Sequence, residues 1–274
     1  MTPRRTAFFI SDRTGITAEM LGQSLLTQFE PVAFERVTIP FVDSVEDAKA
    51  AIAQINAAAE ADGARPIVFS TLVDDEVRKT IEGVNALVLD MFEMFIVPLE
   101  AEFGLHSSRA VGKSHSTADV KHYAQRIDAI NYTLAHDDGA THRNLEDADI
   151  ILVGVSRSGK TPTCLYMALQ FGIKAANYPL IPEDLENMRL PSVLNQHKPK
   201  LYGLSITAER LQQIRTERKR DSRYASPANC RFEVQTAEAL LRQASIPFLD
   251  STTKSIEEIA TTILHETHLV RRVY

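Results

Sequence analysis

One stretch constrains this chain more than any other: Gly154-Val155-Ser156-Arg157-Ser158-Gly159-Lys160-Thr161. It matches the phosphate-loop pattern of a glycine, four free positions and then Gly-Lys-Ser/Thr. Glycines let the backbone curl round a phosphate with no Cβ in the way, so that several N–H groups converge on the anion. Lys160 brings a mobile positive charge to the outer phosphates, and the Thr161 hydroxyl is a ligand for magnesium. A helix starting at this point adds the positive end of its dipole. Upstream, Ile150-Ile151-Leu152-Val153 is a short β-branched run that predicts a buried strand. Downstream, Thr163 to Phe171 predicts a buried helix closed by Gly172, with Pro162 in its first turn, where a missing N–H costs little. The plain alternative is a glycine-rich turn between core elements, which gives no reason for strand, loop and helix to follow in this order. The stretch is read as a nucleotide phosphate site.

The same alternation extends along the chain. Thr6–Ile10 predicts a strand, about 17–29 a helix with Met20, Leu21, Leu25 and Phe29 near helical spacing, and Glu35–Phe41 a strand. Val45–Ala61 predicts a helix capped by Asp43 or Ser44, and Pro66–Ser70 and Ala86–Asp90 two strands flanking a short helix from near Asp74. A polar segment from Gly104 to His115 precedes a long helix over about 117–134, with Val120, Tyr123, Ile127, Ile130 and Leu134 on one face. Beyond the phosphate loop, strands are expected at Lys174–Tyr178, Lys200–Ile206 and Pro247–Leu249, and helices at Ala208–Arg220, Cys230–Ala244 and Ile256–His268. The fold class is α/β: an N-terminal βαβ half with a mostly parallel sheet, and a C-terminal α/β half containing the phosphate loop. The expected domains are 1–105, a connecting segment with the long helix over 106–145, and a nucleotide-binding domain over 146–274.

Composition removes other classes. With 274 residues, 44% hydrophobic and 24% charged, the chain can bury a sizeable core. A formal net charge of −6 opposes a protein that coats nucleic acid. The apolar stretch Val84–Leu99 is broken by Asp90 and Glu93, and Met1–Arg13 carries only a short apolar run, so neither a membrane span nor a secretory signal is expected. Cys164 and Cys230 cannot build a disulfide scaffold, and Cys164 sits in an apolar helical pattern as a small core residue. The expectation is a cytoplasmic protein.

Other groups carry chemistry with weaker signals. Ser11-Asp12-Arg13-Thr14-Gly15 stands at the end of the first strand, where open α/β sheets bind ligands; the plain reading is a capped strand-to-helix turn. Asp137 and Asp138 before Gly139 can hold magnesium or accept a hydroxyl proton, against a solvated turn. Asp250 closes an apolar strand, as a second magnesium contact does, but reads better as part of a helix-cap region. Arg210, Arg215, Arg218, Arg220, Arg223 and Arg231 crowd one region with Lys219; interleaved Glu209, Glu217 and Asp221 favour a solvated face, leaving Arg223 as the one candidate. His115 and His136 are marginal acid/base candidates.

With these residues laid out, the chain closely resembles the bacterial phosphoenolpyruvate synthetase (synthase) regulatory proteins, a sister group of the pyruvate, phosphate dikinase regulators. The resemblance spans nearly the whole chain through FFISDRTGITAE, YTLAHDDG, GVSRSGKTPT, QFGIKAANYPLIPEDL, RYAS, CRFEV and SIEEIAT. It implies a bifunctional enzyme. One activity is a serine/threonine protein kinase that takes phosphate from ADP, leaves AMP and inactivates the synthetase on a threonine. The other is a phosphorylase that uses inorganic phosphate to reverse this and releases pyrophosphate. It implies Gly154, Val155, Ser156, Arg157, Ser158, Gly159, Lys160 and Thr161 as the ADP site, with Thr161 on a magnesium ion. Asp12 and Asp138, in stretches typical of the family, are the candidate catalytic bases beside Lys160. The resemblance also implies a homodimer. The alternatives are the same activities on pyruvate, phosphate dikinase, a phosphate-loop small-molecule kinase or ATPase, and a non-enzymatic nucleotide sensor.

Overall fold

The computed structural model describes residues 4–110, 120–141, 143–218 and 222–272. His115, Lys219, Arg220, Asp221 and the expected first turn of the long helix, 117–119, lie outside the described residues. The chain divides into two compact units, residues 1–116 and 117–274, each built on a four-stranded, all-parallel sheet. The α/β class expected from the alternating pattern is the one observed.

In the first unit the elements run β1 (Arg4–Ile10), α1 (Ile16–Leu26), β2 (Ala33–Ile39), α2 (Val45–Asp62), β3 (Ile67–Ser70), α3 (Asp75–Glu82), β4 (Leu87–Asp90) and α4 (Glu93–Phe103). The strand order is β2-β1-β3-β4, with Ile10 paired to both Ile39 and Ser70. Strand β1 is covered on both faces, as parallel strands are. Phe8 and Ile10 pack with Ala48, Ile55, Val77 and Ile81 of α2 and α3, while Ala7 and Phe9 pack with Ala18 and Leu26 of α1. Ser44 caps α2 through the Asp47 N–H (3.1 Å), and Asp74 caps α3 through the Glu76 and Val77 N–H groups.

Helix α1 departs from its expected face. Ala18, Gly22 and Leu26 turn to the sheet, and Met20, Leu21, Leu25 and Phe29 are exposed. A Cβ at Gly22 would lie 2.6 Å from the Phe9 ring and 2.8 Å from Phe69, so only a small residue lets the helix sit this close. Helix α4 was not expected at all. It starts where the Asp90 carboxylate accepts the Phe92 and Glu93 N–H groups (3.1 and 2.9 Å) and continues through Pro98. Its apolar residues are spread round the helix, with Glu93, Glu100 and Glu102 among them, so no helical periodicity marked it.

The second unit opens with α5 (Val120–Ala135), followed by β5 (Ile150–Gly154), α6 (Lys160–Phe171), β6 (Ala175–Pro179), α7 (Pro182–Glu186) and α8 (Ser192–Asn195). It closes with β7 (Leu201–Ser205), α9 (Ala208–Arg218), α10 (Pro227–Gln243), β8 (Phe248–Asp250) and α11 (Ile256–Thr267). The order β6-β5-β7-β8 puts β5 between the next strand of the chain on one side and the strand after that on the other, so the connections leave its carboxyl end in opposite directions. Ile151 and Val153 of β5 enter the core shared with α9 and α10; Ile150 and Leu152 enter the core shared with α6 and α11, where Cys164 is buried. The expected apolar face of α5 is corrected: Tyr123, Ile127 and Leu134 are exposed, while Ala129 and Thr133 are buried. Thr133 Oγ1 accepts the Ala175 N–H at 3.2 Å, a contact that a bulkier residue would prevent. Helix α10 starts three residues before the expected Cys230, at Pro227, with Ser226 as its cap.

Candidate phosphate-binding site

The carboxyl end of β5, where its two neighbours diverge, is the position at which open α/β sheets form a ligand crevice. There β5 ends at Gly154 and α6 begins at Lys160, so Val155 to Gly159 form the loop between strand and helix. Gly154 is required by close approach, since a Cβ there would stand 2.2 Å from the Leu204 carbonyl oxygen. Gly159 precedes α6 in the left-handed region (φ 91°) and no side chain caps the helix, so its first N–H groups point out unclaimed by a side chain. Arg157 also has a positive φ, 79°, a strained conformation that a functional loop retains. The loop borders a cavity of about 200 Å³ lined by Ser156, Arg157, Gly159, Lys160, Thr161 and, from a distant segment, Asp138.

Three carbonyl oxygens of the loop are held by side chains. Lys160 Nζ donates to Val155 O at 2.8 Å, Arg215 Nη2 to Ser156 O at 3.1 Å, and Ser251 Oγ to Ser158 O at 3.0 Å. The Ser156 hydroxyl lies 3.1 Å from the Tyr224 hydroxyl. Ser158 Oγ is buried without a partner among the described residues, as suits a loop that accepts an outside oxygen. Lys160 is 3% exposed. Burial pushes its ammonium down to about 8, against the partial support of Asp138 and Asp137, and the charge of Arg215 pushes the same way as burial.

Of the carboxylates, Asp138 and its neighbour meet the loop. They stand in a 3-10 turn, Asp137–Gly139, with Asp138 at φ 48°, ψ 32°. Asp137 Oδ1 accepts the Thr161 hydroxyl at 2.8 Å and the Asn177 side-chain amide. Asn177 Oδ1 accepts the Asp138 N–H at 3.1 Å. Sequence reasoning singled out Asp138 and passed over Asn177; the KAANYPL stretch that contains it was noted only as a family mark. His136 offers no free nitrogen. Its Nδ1 contacts Tyr132 O (2.8 Å) and its Nε2 contacts Arg143 O (2.7 Å), so it ties the end of α5 to the loop that follows.

Asp12 belongs to the first unit, at the end of β1. It is 7% exposed, its Oδ2 has no partner among the described residues, and burial pushes its carboxyl up, with the Val73 N–H partly offsetting. Asp250 accepts the Thr252 N–H and hydroxyl, while Ser255 is the actual cap of α11, in a capping box with Glu258. The arginine-rich segment needs a correction. Arg223 is exposed, as are Arg210, Arg218 and Arg231, but Arg215 is wholly buried. It shares a helix with Glu209, Arg210, Glu217 and Arg218, which are exposed, so only the fold identifies it.

The described residues contain no group of three or more His, Cys, Asp or Glu side chains with metal-binding geometry. The Thr161 hydroxyl beside the Asp137 carboxylate fits a divalent cation that takes its remaining ligands from phosphate and water. No helix among the described residues is long and apolar enough to cross a membrane.

Comparison with known proteins places this geometry in context. A family described as kinase/pyrophosphorylase matches residues 7–264. Three relatives carry names that describe them as phosphoenolpyruvate synthase regulatory proteins. Those from Burkholderia multivorans and Burkholderia ambifaria are each 58% identical to this chain, and that from Paraburkholderia xenovorans is 57% identical. Each alignment runs over 269 residues and covers 98% of this chain and 99% of the relative.

Proposed function

The chain belongs to the kinase/pyrophosphorylase family, and from that premise we propose that it is a bifunctional regulator of phosphoenolpyruvate synthase. In one direction the β-phosphoryl group of ADP passes to a threonine hydroxyl of the synthase and inactivates it. The bond formed joins threonine oxygen to phosphorus, the bond broken joins the β-phosphorus to its bridging oxygen, and AMP leaves. In the other direction inorganic phosphate attacks the phosphothreonine phosphorus, threonine regains a proton, and pyrophosphate leaves. The target is taken from the names of the relatives. A homodimer in the cytoplasm is part of the same reading.

One observation supports it above the rest: Lys160, Thr161 and the Asp137–Asp138 turn converge on one loop although they come from separate segments. The N–H groups of Gly154 to Thr161 would hold the diphosphate, and Lys160 would leave the Val155 carbonyl for the transferring phosphoryl oxygens. Asp138, on the cavity wall, is the carboxylate to take the threonine proton; Asp12 is the second candidate for that role. Magnesium, when bound at Thr161 and Asp137, screens the phosphate charge. The test is transfer from ADP labelled in its β-phosphate, with purified synthase and magnesium. Label on a synthase threonine, lost with Lys160→Ala, is the expected result. Label that stays in ADP, both there and in a parallel run with pyruvate, phosphate dikinase, would overturn the assignment.

A further inference from the structure

We propose that Asn177 is the positioning residue of this site, dividing the labour between the two adjacent carboxylates. The inference rests on the functional reading above and extends it to a strand residue outside the loop and the turn. Asn177 lies in β6, the edge strand of its sheet, opposite Leu152 of β5, and is 2% exposed. Three of its polar groups go to the carboxylate-bearing segment. Its backbone N–H, on the open side of the edge strand, donates to His136 O at 3.2 Å. Its Oδ1 accepts the Asp138 N–H at 3.1 Å, and its Nδ2 donates to Asp137 Oδ1 and lies 3.4 Å from Thr161 Oγ1.

A primary amide presents a donor and an acceptor side by side on one plane. The turn offers the complementary pair, a carboxylate oxygen and the next residue's N–H. The bond to the Asp138 N–H also holds that residue in its left-handed conformation, which aspartate tolerates better than most residues. With donors from both Asn177 and Thr161 on one oxygen, Asp137 is committed to facing the Thr161 hydroxyl. Among the described residues, the bond to Asn177 holds Asp138 through its backbone N–H, and its side chain is left to line the cavity with Lys160. Asn177 therefore makes one carboxylate a fixed acceptor and leaves its neighbour open to substrate.

The experiment compares the full-length chain with Asn177→Asp and Asn177→Leu, measuring kcat and KM for ADP separately in the β-phosphate transfer assay. Asn177→Asp keeps size and the acceptor for Asp138 while removing the donor to Asp137. A misplacement of about 1 Å costs on the order of 100-fold, so kcat is expected to fall by about that factor in a variant that melts normally. KM for ADP is expected to stay within about threefold, because the loop that binds the diphosphate is untouched. Combining Asn177→Asp with Asp138→Asn is expected to lose little beyond Asp138→Asn alone, since releasing the turn at Asp137 lowers kcat by misplacing Asp138, the carboxylate that Asp138→Asn removes. An unchanged kcat, a KM that rises in step with the loss of kcat, or full additivity would each overturn the proposal. If the parent chain transfers no label to either target, the functional reading falls, and the positioning claim is decided by hydrogen exchange at the Asp138 amide. Exchange about tenfold or more faster in Asn177→Leu supports it, and equal exchange overturns it. Should Asn177→Leu not fold, Asn177→Asp carries the kinetic test and Asn177→Ser the exchange test.

Discussion

Arg215 Nη2 donates to the carbonyl oxygen of Ser156 at 3.1 Å, joining α9 to the phosphate loop across 59 positions of sequence. The same nitrogen is 2.6 Å from Glu233 Oε2 on α10, Nη1 donates to Tyr224 O at 3.0 Å, and the guanidinium lies 4.0 Å from the centre of the Tyr224 ring. One buried side chain thus fixes the loop, the Arg223–Ala225 turn and two helices in a single arrangement. A planar head with several donors does this; a lysine cannot.

Arg215→Met is expected to destabilise the chain by about 3–5 kcal/mol, because it strands the Glu233 carboxylate in the core. Arg215→Lys should recover only part of that loss. Urea unfolding of the three proteins measures it, and equal midpoints would show that Arg215 is not a strut. Tyr224→Phe removes only the hydroxyl contact with Ser156 and should cost about 1 kcal/mol.

Lys160 predicts a pH dependence of stability. Its folded value, about 8, lies below its unfolded one, so between them the unfolded chain binds the extra proton and stability rises with pH. Below about 8 the cost of burying the charge is fully present, and it is relieved as pH climbs towards the ordinary lysine range. Lys160→Met should remove that rise and make the ligand-free chain more stable at neutral pH, while abolishing transfer. Denaturation of both proteins at pH 7 and pH 10 checks this.

The two carboxylates of the turn should separate kinetically. Asp138→Asn is expected to lower kcat by about 100-fold or more with little change in KM for ADP, as loss of a general base does. Asp137→Asn should instead raise the magnesium concentration needed for half-maximal activity. If Asp137→Asn gives the larger kcat loss at saturating magnesium, the roles are reversed.

Asp12→Asn should stabilise the chain at neutral pH. Burial raises the Asp12 carboxyl above its ordinary value, so stability contributed there is present at low pH and is lost as pH rises through the folded value. Asparagine keeps the shape without the charge, and its melting temperature should exceed the parent's at pH 7 but not at pH 4. If transfer activity survives the change, Asp12 is not the base.

Much of the site was legible in sequence because its signal is local. A β-branched run, two glycines at fixed spacing, a lysine and a helix form one continuous segment, and backbone geometry alone demands that order. The cap at Ser44, one of two residues expected there, and the helix start near Asp74 were readable for the same reason, since each residue bonds an N–H two or three residues on. The helix faces were not. In α1 and α5 the expectation turned the large apolar residues inward, yet Gly22, Ala129 and Thr133 are the ones against the sheet or the next helix.

Sequence by itself determined the alternating α/β architecture, the position of the phosphate loop and the residue types it presents, because those follow from hydrophobic period and from the conformational freedom of particular residues. Tertiary structure decided which distant groups meet that loop. Arg215 reads as one charge among many until burial removes it from water, and Asn177 reads as a polar residue in a strand until the edge of the sheet delivers it to Asp137 and Asp138. Their roles depend on contacts 9 to 59 positions away, and a side chain's partners at that range are set by packing and not by its neighbours in the chain.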